Sequence, residues 1–208
     1  MSKLEKIEAP ILLSLEMAMI RFLEEIPYRT TAYAIGFLDA LGESLSGKFS
    51  EENYSSVGDF YRSVETGRSG LSSIEGESIR LSTGIYVLKI CPFVNALTKL
   101  KPLDAKLKEF FQRIVQDYNE ETEPTTSIVN PFCILHDKLK GAYLRNVEAG
   151  GRKLKFVIIA RRSPLHEGRV VMNREIMKGL KTNIRRALLE TMRKYYCCCI
   201  YLPRRARK

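Results

Sequence analysis

Cys133 and His136 are the closest the sequence comes to a catalytic or metal-binding pair, in the run Pro131-Phe132-Cys133-Ile134-Leu135-His136-Asp137. Three residues apart, they share one face if the segment is helical. A thiol beside an imidazole can act as a nucleophile with its base or as a pair of soft-metal ligands. Cys91, in Cys91-Pro92-Phe93 at the end of an expected strand, would complete a three-ligand set for zinc or iron with Cys133 and His136. The competing reading is buried thiols beside a surface histidine, because free cysteine is among the most buried residue types. Any Ser-His or Cys-His site has only His136 or His166 to use as its base. The chain has no phosphate loop, no Gly-x-Gly-x-x-Gly fingerprint, no His-Glu-x-x-His helix and no Gly-x-Ser-x-Gly elbow. No enzymatic constellation is complete, and the expectation leans away from an enzyme.

The second chemistry-bearing feature is charge. Residues 173–208 carry eleven Lys or Arg against two Glu, a net of +9 out of the chain's +10, and the other 172 residues hold 23 basic and 22 acidic side chains. Arg185, Arg186, Arg193, Lys194, Arg204 and Arg205 are the candidate anion contacts. Three readings fit: a solvated face over the body, a nucleic-acid phosphate contact, or a segment lying on an anionic membrane. Cys197, Cys198 and Cys199 are too tightly spaced for one tetrahedral zinc site. Lipid attachment, redox chemistry and an unconstrained tail all remain open for them.

These side chains need elements to position them. The 208 residues, 45% apolar and 28% charged, describe one globular body, 1–172, with a basic amphipathic helix and Cys-rich tail, 173–208. No apolar run approaches the roughly 20 residues needed to cross a bilayer, and five cysteines, three of them adjacent, make no disulfide framework. A cytoplasmic protein with reduced thiols is expected. Apolar residues at three- and four-residue steps predict helices over 10–26, 29–45, 57–66 and 103–118, and a helix over 131–144 closed by Gly141. Gly36 and Gly42 in the second helix suggest close packing of another element. Alternating residues predict two antiparallel strands between 71 and 91, the stronger at 85–91, and Gly150-Gly151 predicts a hairpin joining 142–147 to 153–160. From Asn173, an N-cap, the apolar set Ile176, Leu180, Ile184, Leu188 and Met192 predicts one basic amphipathic helix.

This order of elements carries specific residues: Ala34-Ile35-Gly36-Phe37-Leu38-Asp39-Ala40-Leu41-Gly42, then Gly67-Arg68-Ser69-Gly70-Leu71, then Lys89-Ile90-Cys91-Pro92-Phe93, then Cys133 and Gly141 ahead of Gly150-Gly151. Together they resemble the 4-vinyl reductase domain family, whose fold is shared with subunits of the TRAPP vesicle-tethering complex. The resemblance spans roughly residues 10–170. It implies an α/β (α+β) fold, with N-terminal helices packed on a small antiparallel sheet. It also implies a homodimeric sensor or scaffold that binds a small hydrophobic molecule, an aromatic hydrocarbon or a tetrapyrrole, between helices and sheet. Phe37, Cys91, Phe93, Phe132 and Cys133 are the expected ligand contacts. Some aromatic-sensing members hold zinc through cysteines and a glutamate in and after the final hairpin, a stretch (159–168) that contains no cysteine here. The rival implied by the family name is a reductase acting on a tetrapyrrole vinyl group.

Overall fold

The computed structural model describes residues 30–46, 49–71, 78–80, 85–88, 105–124, 126–162, 170–195 and 198–205. The helix expected over 10–26 lies outside these residues, as do Cys91, Phe93, His166 and Cys197. The described elements are α1 (Thr31–Ser46), β1 (Glu52–Tyr54), α2 (Val57–Glu65), β2 (Ser78–Arg80), β3 (Tyr86–Leu88), α3 (Ala105–Thr122), α4 (Phe132–Arg145), β4 (Val147–Ala149), β5 (Leu154–Arg162), β6 (Val170–Met172), α5 (Arg174–Gly179), α6 (Thr182–Lys194) and β7 (Cys198–Arg205). The protein is mixed α/β. An antiparallel sheet of order β2-β3-β7-β5-β6 stands beside a parallel pair, β1 and β4.

Local chemistry accounts for several boundaries. Ser56 caps α2 by accepting from the Asp59 amide at 3.1 Å, with Asp59 itself in the positive first turn. The helix ends at Gly67, whose φ of 68° is in the left-handed region. The Gly67 amide donates to the Val64 carbonyl and the Arg68 amide to the Ser63 carbonyl, the two bonds of a Schellman cap. In α1, Ala34, Leu38 and Gly42 recur every four residues and are buried against α4. A Cβ at Gly42 would stand 2.7 Å from Lys138 Cβ, so glycine permits the close approach of these helices, whereas Gly36 has nothing within 4 Å.

The five-stranded sheet has a different layer on each face. One face packs with α1–α4 in a core containing Leu38, Phe60, Phe110, Ile114, Phe132, Leu135, Tyr86 and Tyr201. On the other, Ile85, Val87, Ile159, Ala160 and Ile200 are covered by Leu188 and Met192 of α6 and by Ile176, Met177 and Leu180 from α5 and the break after it. Burying Leu188 and Met192 to 1% and 2% exposure stabilises the fold by about 1.5–3 kcal/mol each.

The structure corrects four expectations. The single helix from Asn173 is two helices: Asn173 does cap α5, accepting from the Ile176 amide at 3.0 Å, but Leu180 and Lys181 are extended and separate it from α6. The tail is not an appendage. β7 lies between β3 and β5, so a boundary at 172 cuts through the sheet. Gly141 does not close α4, which continues to Arg145, and residues 142–145 are therefore helical rather than the first arm of a hairpin. The Gly150-Gly151 turn does form, with φ of 61° and 69°, but its first arm, β4, pairs in parallel with β1.

Candidate functional site

One turn of chain geometry brings charged and sulfur-bearing side chains under α4. Leu154, Phe156 and Ile158 of β5 face the α1–α4 core, as strict alternation requires. The register then shifts: Ile158 is opposite Tyr201, Ala160 is opposite Ile200, and Ile159 is the extra residue of a β-bulge. The bulge inverts the alternation, so that Ile159 and Ala160 enter the α5–α6 core and Arg161 returns to the α4 side. Arg161 is directly opposite Cys199 of β7.

On α4, Cys133, Asp137 and Lys140 follow at four- and three-residue steps and form one face. Arg161 Nη2 donates to Asp137 Oδ2 at 2.6 Å; the Arg161 side chain is 4% exposed and that of Asp137 35%. Lys140, itself buried, holds its Nζ 4.6 Å from the centroid of the Tyr201 ring. Tyr201 stacks on Tyr86 at 5.7 Å and Tyr86 on Tyr61 at 5.0 Å, and Arg80 closes the far end 4.6 Å over Tyr61. The result is a column of three tyrosines with a cation at each end, drawn from α2, β3 and β7.

Burial pushes the Cys199 thiol up to about 11, against the pull of Lys140 and Arg161, so it is protonated and unreactive at neutral pH. Burial opposes the Arg161 charge, but the Asp137 carboxylate and the neighbouring Cys133 and Cys199 raise its pKa above the ordinary arginine value. Among the described residues, Arg161 Nε is buried and donates to no acceptor. Arg161, Lys140 and Asp137 are thus charged members of the cluster in an apolar and aromatic surround.

A second polar network ties β1, α2, the 67–71 turn and α4 together. Glu52 Oε1 accepts from the Gly70 amide at 2.8 Å, and Glu52 Oε2 accepts from Tyr143 Oη at 2.8 Å and from Tyr54. Tyr143 also meets Ser69 Oγ at 2.6 Å. A Cβ on Gly70 would stand 2.8 Å from Glu52 Oε1 and 3.0 Å from the Tyr143 ring, so a larger residue here would displace the Glu52 carboxylate from this network. Burial, with the Glu52 charge behind it, raises the Tyr143 phenol well above its ordinary pKa. It acts as a hydrogen-bonding strut rather than as a base.

The sequence-predicted site residues separate. Phe132 is buried edge-on against Phe111, and Phe37 and Cys133 pack half-buried on the same core. His136 is 5% exposed, which removes the surface-histidine reading. Cys133 and His136 are two of the four ligands that a closed zinc site needs, and Cys91, the third expected ligand, lies outside the described residues. Among the described residues, no three His, Cys, Asp or Glu side chains are grouped to hold a metal ion. Sequence reasoning missed Asp137, Lys140, Arg161 and Tyr201; the seven-residue span from Cys133 to Lys140 was the available signal. A groove of about 490 Å³ lies elsewhere, between α3 and β6. It is lined by Gln112, Gln116, Asn119, Glu120 and Ser127 among others, and not by Phe37, Phe132 or Cys133, the expected ligand contacts among the described residues. Arg185 is half-buried, and Arg186, Arg193 and Lys194 stand exposed on α6; Arg204 is opposite Lys155 in the β5–β7 register and Arg205 opposite Leu154. No helix among the described residues is long and apolar enough to cross a membrane. No family model, no curated protein and no solved structure matches the chain.

Proposed function

We propose that this chain is a non-enzymatic module that binds a small hydrophobic molecule, the role that its resemblance to the 4-vinyl reductase domain family implies, that this molecule carries an acidic group, and that the module works as a homodimeric sensor or scaffold. The observation that carries the reading is Arg161: a guanidinium 4% exposed, anchored to Asp137 through Nη2, with a buried Nε–H that has no acceptor among the described residues. A buried donor of this kind costs about 1–3 kcal/mol until an acceptor reaches it. A ligand carboxylate would satisfy it, and Lys140 supplies a second cation on the same side of the sheet. Small-molecule sites are mostly apolar with a few convergent polar groups, the composition found where α4 meets β5 and β7. Phe37, Phe132 and Cys133 supply the apolar part of this reading, with Cys91 and Phe93 from the family pattern.

The test is thermal unfolding of the full chain with naphthalene, 2-naphthoate and protoporphyrin IX. The two acidic compounds should raise the midpoint by several degrees, naphthalene less, and Lys140→Met should remove the preference. Absence of a shift with all three would overturn the proposal. A reductase would instead change the absorbance of a vinyl tetrapyrrole when an electron donor is supplied, and none is expected to change.

A further inference from the structure

We propose that the outer face of the α5–α6 layer is a docking surface for the phosphate backbone of a nucleic acid. Its apolar residues are turned inward, Ile176, Ile184, Leu188 and Met192 packing onto the sheet, which leaves an outward face dominated by cations. Arg174, Lys181, Arg186, Arg193 and Lys194 are exposed there. Charge balance sets this face apart: residues 174–194 hold seven Lys or Arg against Glu175 and Glu190, whereas residues 1–172 hold 23 basic and 22 acidic side chains. Elsewhere Lys138 pairs with Asp39 and Glu43, Arg80 with Glu65, Arg62 with Asp59 and Lys153 with Glu148. On the α5–α6 face the one ion pair among the described residues is Lys178 with Glu175. Among the described residues Arg174, Lys181, Arg186 and Arg193 have no ion-pair partner, and Glu190 is the other carboxylate in the two helices.

A concentrated, unneutralised positive face fits a dense polyanion. Duplex DNA presents about one negative charge per 1.7 Å of axis. Along α6, Arg186 and Arg193 are two helical turns apart, roughly 10 Å, and on one side, so they can meet separate phosphates of one backbone. An anionic membrane fits less well. Interfacial helices bury an apolar face in the lipid, and here that face is already committed to the sheet. Leu189, 39% exposed, is the large apolar side chain that the two helices present outward. The contact is to phosphate rather than to base edges, so sequence preference should be slight.

The experiment is fluorescence anisotropy of the full chain with labelled mixed-sequence duplex DNA and with single-stranded RNA, over a range of salt. About five phosphate contacts predict a slope of log affinity against log salt of roughly −4 to −5 for the duplex. Arg186→Glu with Arg193→Glu, both at exposed positions, should weaken binding by about tenfold or more. The control is Lys108→Glu with Arg152→Glu, the same charge change elsewhere, which should weaken it far less. Circular dichroism melts confirm that both variants are folded. A flat salt dependence, equal losses in the two variants, or binding to phosphatidylserine vesicles without binding to either nucleic acid would overturn the proposal.

Discussion

Arg161 and Asp137 form an ion pair across two layers of the protein, the guanidinium almost sealed in the core and the carboxylate reaching solvent. Neither partner is equivalent to the other in this arrangement. Removing the carboxylate leaves a buried charge uncompensated, whereas removing the guanidinium leaves a carboxylate that water can still solvate.

Asp137→Asn is therefore expected to destabilise the fold by about 1–3 kcal/mol, less than the loss for a fully buried pair because Asp137 is partly screened by solvent. Arg161→Met in the Asp137→Asn background should restore part of it. Urea denaturation of the wild type, the two single variants Asp137→Asn and Arg161→Met, and the double variant measures the coupling. If the double variant is as unstable as the sum of the single changes, the pair is not an interacting unit.

The glycines of α1 should respond in opposite directions. Gly42→Ala drives a methyl to within 2.7 Å of Lys138 Cβ and is expected to cost about 1–3 kcal/mol. Gly36→Ala meets open space in a helix and should stabilise by about 0.5–1 kcal/mol. Thermal midpoints moving the same way in both variants would contradict the α1–α4 packing described above.

Tyr143 makes stability depend on alkaline pH. Its folded pKa is raised above the ordinary 10.0, so the folded state holds the proton after the unfolded chain has released it. The resulting stabilisation is complete below about pH 10 and is lost as pH rises through the folded value. Tyr143→Phe should cost about 1–3 kcal/mol at neutral pH, by depriving Glu52 and Ser69 of a buried partner, and should flatten the decline above pH 10. Denaturant midpoints across that range supply the check; an unchanged slope in the variant would assign the alkaline loss to other groups.

A chain ending at Met172 is expected not to fold. It lacks β7, which pairs with both β3 and β5, and it lacks the α5–α6 cover of the outer face. Far-ultraviolet circular dichroism and a cooperative melt decide this, and a truncated protein with a normal melt would mean that β7 is dispensable.

The helices were legible in proportion to how local their causes are. Ser56, Asp59 and Gly67 mark both ends of α2 within a dozen residues, and the apolar steps of α3 needed no distant partner to be seen. Gly141 misled because a glycine in a helix reads as a stop, yet α4 is held by packing along its whole length. The five apolar residues from Ile176 to Met192 keep a four-residue step across Gly179 and Leu180, so the periodicity alone did not reveal the break.

β7 was hidden in the sequence for a related reason. Cys198-Cys199-Ile200-Tyr201-Leu202-Pro203-Arg204-Arg205 shows little alternation, and its pairing of Tyr86 with Tyr201 joins residues more than a hundred apart. Pro203 is accommodated because it lies beyond the three residues that β3 pairs with, where β7 keeps β5 as its described neighbour. The position of Arg161 was equally hidden. Unbroken alternation through Leu154–Arg162 would send Arg162 to the core face and Arg161 outward; the bulge at Ile159 reverses them. Composition and short-range spacing settled the mixed α/β character, the helix caps, the Gly150-Gly151 turn and the concentration of charge after Asn173, because each depends on neighbours within a few residues. The central strand, the bulge and the assembly of Cys133, Asp137, Lys140, Arg161 and Cys199 beside a tyrosine column depend on which distant segments pair and in what register, and that was settled by the insertion of β7 between β3 and β5 and the packing of α4 on one face of the sheet.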